Sequence, residues 1–559
     1  MSGLSRKTTI LIGIMLASVF FLLFLVLPVV TVAGKGFDPA VMLETFRNPV
    51  YREGLFNALK IALVTTTIVC LFTVPAALLY DRYEFYGKKY VNLMVMLPMI
   101  LPPFVGALGF QQMLGYYGVF NTILKSCGLA PIDWLGGGGR FWTVCVVEAL
   151  HLYPILFLNL VTSLANIDPA MEEAAQGLGA NSWRRFKKIT LPLMKPGLFA
   201  GGSIILIWSF TELGTPLMLG YDRVITVQIF NGITELETNP QPFSLVVILL
   251  LVSAGLYATS RMSLGGKSAT ATVKGITSNR SSIIKGWKQA LPPLFFMLVT
   301  IASVLPHLAL ILMSFSRRWY GSLIPESWTL LHYDTALSSP LVVPSIINSL
   351  RYSSIAMLAS VLVGMIIALL TTRVKIRGGK ILDTMAMLPL AVPGIVLAFG
   401  YLSMTARWDI LRSFMDPIKN PTILLAAAYA IRRLPYTVRA ITAGLEQTPI
   451  DLEEAAAGFG AGPLRRMLKI TMPLISANLV VGGLFAFSFS MLEVSDSLLL
   501  AQKPEYYPVT KAIFELSQML GQGSFVACAF GVWTMLFLAF TLAAAATLLG
   551  KKIGSLFRF

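Results

Sequence analysis

Twelve apolar runs, separated by short polar stretches, set the rhythm of this chain. They lie near residues 9–33, 55–80, 91–114, 141–165, 197–219, 243–262, 290–314, 343–371, 382–404, 422–445, 477–500 and 525–550. A helix crossing a bilayer needs about 20 mostly apolar residues, and each run meets that length. The pattern therefore predicts an all-α polytopic membrane protein with twelve transmembrane helices. Several runs contain Pro or Gly, which membrane helices tolerate because neighbouring helices satisfy the freed backbone groups. The pairs Pro98/Pro102 and Pro389/Pro393 read as kinks in the third and ninth spans.

Composition agrees with this reading. Of the 559 residues 56% are apolar and 13% charged, with a mean hydropathy of +0.73. A soluble enzyme of this length carries about twice that charge, and a disordered chain is far less apolar. Four cysteines (Cys70, Cys127, Cys145 and Cys528) without a CxxC exclude a disulfide scaffold and a thiolate zinc site. Three histidines argue against a histidine-rich metal site, and no set of residues is identified as a resident metal site.

The net charge of +17 is explained by where the basic residues lie. Arg6 and Lys7 precede the first span, and Arg82, Lys88 and Lys89 follow the second. Arg184, Arg185, Lys187, Lys188 and Lys195 follow the fourth, and Arg373, Lys375, Arg377 and Lys380 the eighth. Segment 261–288 carries Arg261, Lys267, Lys274, Arg280, Lys285 and Lys288, while Lys551, Lys552 and Arg558 close the chain. The alternate loops mix signs, as in Asp222, Arg223, Glu235 and Glu237. The positive-inside rule then puts both termini and segment 261–288 in the cytoplasm, and nucleic acid is not needed as a partner. Thr31-Val32-Ala33 resembles a cleavage site, but the long apolar stretch before it reads as an uncleaved anchor.

The chain repeats itself. Residues 172–193 and 453–474 match at 14 of 22 positions without gaps, at an offset of 281. Upstream the offset is 291: Leu97-Pro98 pairs with Leu388-Pro389, and Asn57-Ala58-Leu59 with Asn348-Ser349-Leu350. The ten-residue difference falls in the loop after the third span, where the first half carries Gly136 to Gly139. The expected organisation is a first six-span half at 1–263, a linker at 264–287 and a second half at 288–559. An even number of spans per half makes the repeat parallel, with a pseudo-two-fold along the membrane normal and a substrate path between the halves.

The best-preserved repeat is a polar cytoplasmic loop, near 166–196 and again near 447–476. It reads Glu173-Ala174-Ala175, three residues, Gly179, nine residues, Ile189, then Leu191-Pro192; its copy has Glu454-Ala455-Ala456, Gly460, Ile470 and Met472-Pro473. Glu172 and Glu173 suit the first turn of a helix, and Gly179 and Gly460 can end such a helix in a left-handed conformation. This double motif resembles the EAA loop of binding-protein-dependent ABC importer permeases. It departs once, with Met472 where the pattern prefers Leu. The resemblance covers essentially the whole chain and implies the type I ABC importer permease fold, in a bacterial inner membrane. It implies that Glu172, Glu173, Ala174, Gly179, Glu453, Glu454, Ala455 and Gly460 couple the chain to a cytoplasmic ATPase, present in two copies. An extracytoplasmic binding protein delivers substrate, and membrane lipid surrounds the spans. No G-x-x-x-x-G-K-[ST] occurs, so the chain binds no cofactor of its own, and ATP and magnesium belong to the partner.

Ionisable residues inside spans are candidates for the transport path, because burying them is costly. Glu212 with Thr215 in the fifth span corresponds to Glu493 with Ser495 and Asp496 in the eleventh. Such carboxylates suit a cation; they also suit pairing with Arg432, Arg433 and Arg439 of the tenth span, or capping of a broken helix. His151 stands where the second half has Arg432. The fused twelve-span form, with Phe210-Thr211-Glu212-Leu213-Gly214-Thr215-Pro216, is most similar to ferric-iron transport permeases, whose relatives carry thiamine, 2-aminoethylphosphonate or polyamines. An ion-coupled secondary transporter using Glu212, Glu493 and Asp496 is the alternative of another class. No nucleophile–base pair supports an enzyme.

Overall fold

The structure, a computed structural model, describes residues 3–100, 102–235, 239–265, 282–283 and 286–549. Most of the expected linker at 264–287 lies outside the described residues, as do Glu237, Lys267, Lys274, Arg280, Lys285, Lys551, Lys552 and Arg558.

The main helices, in chain order, are α1 (Ile10–Gly36), α2 (Pro49–Arg82), α3 (Lys88–Ile100), α4 (Pro103–Leu114), α5 (Gly139–Ala165), α6 (Pro169–Gly177), α7 (Ser182–Thr211), α8 (Gln241–Gly265) and α9 (Leu291–Ser314). The second half follows with α10 (Val342–Arg373), α11 (Gly379–Met387), α12 (Gly394–Arg407), α13 (Thr422–Gln447), α14 (Asp451–Gly458), α15 (Ser476–Met491) and α16 (Gly523–Leu549). Short pairings join Tyr83–Glu84 to Ser282–Ile283 in parallel and Ser316–Arg318 to Ser327–Trp328 in antiparallel register.

Among the described residues eight helices are long and apolar enough to span a membrane, or eleven if each bent pair counts once. The one expected span outside that count is the tenth, 422–445, which is the helix α13 and carries Arg432, Arg433, Arg439 and Glu446. Two of the three bends fall where proline removes a backbone donor: α3 and α4 meet at 86° around Pro102, and the segments flanking Pro393 at 101°; the third, 78°, falls at Ile475.

The described chain forms two compact units. One is built from parts of Glu53–Val227 and Val252–Thr329. Its core joins Val69 and Ala77 of α2, Val95 of α3, Leu156 and Leu160 of α5, and Ile205 of α7 to Phe296 of α9. The Phe296 ring stacks on Phe85 at 6.0 Å and meets Phe157 edge-on at 5.9 Å. The other unit is built from parts of Met1–Arg52, Gln228–Leu251 and Leu330–Leu556. There α10, α13 and α15 pack on one another, and the Pro-containing part of α1 lies along α12.

Each unit thus contains the first span of the opposite sequence half. The close approach is the same in both. In one unit any side chain at Gly109 would run into the Pro306 carbonyl; in the other, any side chain at Gly400 would run into that of Pro28. Gly109 and Gly400 are related by the offset of 291. Only glycine permits backbone contact of this kind, as in other membrane helix pairs.

Candidate functional sites: the duplicated loop and the buried charges

Asp168 opens the first loop: its Oδ1 accepts from the Ala170 amide at 2.9 Å, and Pro169 takes the first helical position. Helix α6 ends where Gly179 turns left-handed, at φ 81°, and the Ala180 amide closes the turn on the Ala175 carbonyl at 3.0 Å. Asn181 then caps the next helix through the Arg184 amide at 2.8 Å. The copy repeats this with Gly460 at φ 80° and a 3.0 Å bond from Ala461 to Ala456. Both loops are thus helix–glycine–helix elbows.

The two glutamates of each loop face different ways. Glu173 and Glu454 are exposed, together with Ala174 and Ala455. Next to each left-handed glycine an apolar side chain stands in the open, Leu178 at 89% exposure and Phe459 at 93%. Glu172, in contrast, is buried, with Oε1 2.9 Å from Arg82 Nη2 and 2.5 Å from Thr190 Oγ1. Glu453 Oε1 likewise accepts from Arg373 Nε at 3.0 Å. The sequence groups all four glutamates as coupling residues; the structure separates an outer, exposed pair from an inner, shielded pair.

The intramembrane carboxylates differ between the halves. Glu212 ends the helix that begins at Leu191, and its Oε1 accepts from the amides of Gly214 and Thr215 at 3.0 and 3.2 Å. It therefore caps the short helix Gly214–Met218, which holds the buried Thr215. Glu493 and Asp496 are buried and ion-paired. Arg432 Nη1 donates to Glu493 Oε1 at 2.5 Å and to Asp496 Oδ2 at 3.4 Å, and Arg433 Nη2 pairs with Glu493 Oε2. Arg433 also donates to the Phe489 carbonyl at 3.0 Å. Arg439 is not part of this cluster and lies 3.6 Å from Asp383. Ser495 adds no side-chain hydrogen bond to it among the described residues.

Backbone geometry is nonetheless preserved across the repeat. Thr226 Oγ1 donates to the Glu212 carbonyl, and Thr510 Oγ1 to that of Glu493, each at 2.7 Å. Asn57 Nδ2 donates to the Arg223 carbonyl at 3.0 Å; Asn348 Nδ2 donates to that of Glu505 at 2.9 Å. His151, in the place of Arg432, uses Nδ1 on the Pro98 carbonyl at 2.8 Å.

One further buried acid lies outside the residues singled out from the sequence. Glu148 of α5 is 3% exposed; its Oε2 accepts from Ser209 Oγ. A lone acid in the apolar run 141–165 is the signal that marks it in the sequence.

Comparison with known proteins agrees with the duplication. The family model described as binding-protein-dependent transport system inner membrane component matches twice, at residues 73–262 and 360–547. A putative ferric transport system permease protein of Haemophilus influenzae is 27% identical over 489 residues, covering 84% of this chain and 73% of its own length. The ferric transport system permease protein of Actinobacillus pleuropneumoniae is 28% identical over 491 residues, covering 84% of this chain and 65% of its own. A solved bacterial alginate ABC transporter, in complex with an alginate pentasaccharide-bound periplasmic protein, is 19% identical with a TM-score of 0.39, over 49% of this chain and 98% of that one. With both halves matched, this chain is a multi-pass membrane protein that belongs to the family of binding-protein-dependent transport system inner membrane components.

Proposed function

We propose that this chain is the permease subunit of an ATP-driven importer that moves ferric iron into the cytoplasm by alternating access. The observation that carries the importer reading is the duplicated elbow. A helix–glycine–helix knob with an outer carboxylate and an exposed apolar tip, Leu178 or Phe459, is a surface made to be covered by a partner. That partner is a cytoplasmic ATPase in two copies, which holds the ATP and magnesium and performs hydrolysis. An extracytoplasmic binding protein delivers the substrate, and both termini lie in the cytoplasm. The substrate is taken from the two ferric permeases similar to most of the chain.

Glu212, Thr215, Glu493, Ser495, Asp496, Arg432 and Arg433 are proposed to border the path. The pairing of Glu493 and Asp496 with arginine leaves them poorly suited to carry coupling ions, which favours ATP over an ion gradient.

The test is uptake of radioactive ferric iron by cells expressing this chain with its ATPase and binding protein. Loss of uptake in a Glu173→Lys, Glu454→Lys double variant is expected. Uptake that persists in the variant overturns ATPase coupling. No uptake by an assembled wild-type complex overturns iron, and thiamine, 2-aminoethylphosphonate and polyamines are then the probes.

A further inference from the structure

Arg82 is the last residue of α2 and Arg373 the last of α10, so the two close the second span of each half. They are related by the offset of 291, whereas the loop glutamates they reach are related by 281. The ten-residue insertion lies between the partners in the first half, and the contact is re-formed in both. The shielding is also alike, with side-chain exposures of 25% and 11% for Arg82 and Glu172, and 14% and 15% for Arg373 and Glu453.

The two ties use the guanidinium differently, through one nitrogen at Arg82 and through two at Arg373. Arg82 Nη2 donates to Glu172 Oε1 and to Thr190 Oγ1, each at 2.9 Å, and so grips both flanks of its loop. Arg373 gives Nε to Glu453 Oε1 at 3.0 Å and Nη2 to the carbonyls of Leu445 and Thr448, at 3.0 and 2.9 Å. It thereby binds the helix preceding the loop as well as the loop itself. A lysine has no fixed fork and cannot hold the partners of Arg373 together.

We propose that Arg82 and Arg373 are positioning residues that carry movement of the loop into the second span of each half. The inner glutamates Glu172 and Glu453 belong to this link and not to the docking surface. The proposal rests on the importer reading above. Cutting the link uncouples the protein without undocking it, because the outer face of each loop, Glu173 with Leu178 and Glu454 with Phe459, is left untouched.

The experiment compares Arg82→Gln and Arg373→Gln with wild type, in the complete complex in proteoliposomes with ferric iron as the probe. The complex is expected to assemble and hydrolyse ATP at about the wild-type rate, while uptake per ATP falls about tenfold or more for a lost charged, shielded bond. The swap Arg82→Glu with Glu172→Arg restores part of the uptake. Hydrolysis and uptake falling together, or uptake unchanged, overturns the proposal. A second readout needs neither substrate nor ATPase: amide exchange in the full chain. Arg82→Gln is expected to speed exchange across 169–177 alone, and Arg373→Gln across 451–458 alone; unchanged exchange overturns the tie. If the wild-type complex transports nothing, the iron reading fails, and the exchange experiment still decides the link.

Discussion

Arg432 lies 2.5 Å from Glu493 through Nη1, and the same nitrogen is 3.4 Å from Asp496, a residue with no exposed surface. One guanidinium therefore serves two carboxylates in a setting where an unpaired charge is far more costly than a paired one.

Removing it should cost more than any surface change in this protein. Arg432→Met leaves Glu493 with Arg433 and takes from Asp496 its arginine partner, and a loss of about 3–5 kcal/mol is expected for breaking a buried pair. The measurement is the thermal midpoint of the detergent-solubilised chain. Adding Glu493→Gln and Asp496→Asn should recover most of the loss. A triple variant no more stable than Arg432→Met would show that the arginine acts through packing and not through charge.

The exposed tips of the loops predict the reverse behaviour. Leu178→Asp and Phe459→Asp alter side chains that are 89% and 93% exposed, so the midpoint should stay within about 0.5 kcal/mol of wild type. Affinity for the ATPase subunit, measured by co-purification or surface binding, should fall about tenfold or more if the tips anchor the partner. Unchanged affinity would take them out of the interface.

The glycines at the first-span contacts give a test of the fold itself. Gly109→Ala and Gly400→Ala each force a methyl group against a carbonyl, with an expected loss of about 1–3 kcal/mol for overpacking. Gly202→Ala in α7 meets nothing within 4 Å, and should be neutral or stabilising by up to about 1 kcal/mol. Equal midpoints for Gly109→Ala and Gly202→Ala would contradict the close approach.

At the elbows the strain is conformational. Gly179→Ala and Gly460→Ala place an alanine at φ near 80°, which costs about 1–2 kcal/mol locally. The knob is exposed on all sides at that point, so the effect should appear as weaker ATPase binding with little change in midpoint. A full loss of folded chain would contradict it.

Features fixed by local sequence were legible: the apolar runs, the proline bends, the left-handed glycines and the repeated loop. What escaped were pairings at long range. Arg82 and Glu172 are 90 residues apart, and nothing in either neighbourhood names the other. Helix α13 is the instructive case for hydropathy. Its arginines lower its apolar score, yet two of them are half-buried and paired with the buried Glu493, so their charges are matched within the fold. Glu212 and Glu493 occupy equivalent places and do different work, since one caps a helix and the other is paired. His151 stands where the second half has Arg432 and is turned to the Pro98 carbonyl, so the repeat offset alone does not show that Glu493 is bound to arginine. The exchange of first spans is invisible for a related reason: similarity between halves says which segments are equivalent, not which pack together.

That exchange bears on how the protein is made. The unit built on α2 to α7 closes its core with Phe296 of α9, which a ribosome delivers more than 80 residues after α7 has ended at Thr211. The early half therefore waits in the bilayer with an unfilled groove, while α1 waits longer still for α12. Synthesis on one polypeptide guarantees that each waiting surface meets its own missing helix at high local concentration. A gene cut within the linker would instead yield two fragments, each lacking a helix that the other carries.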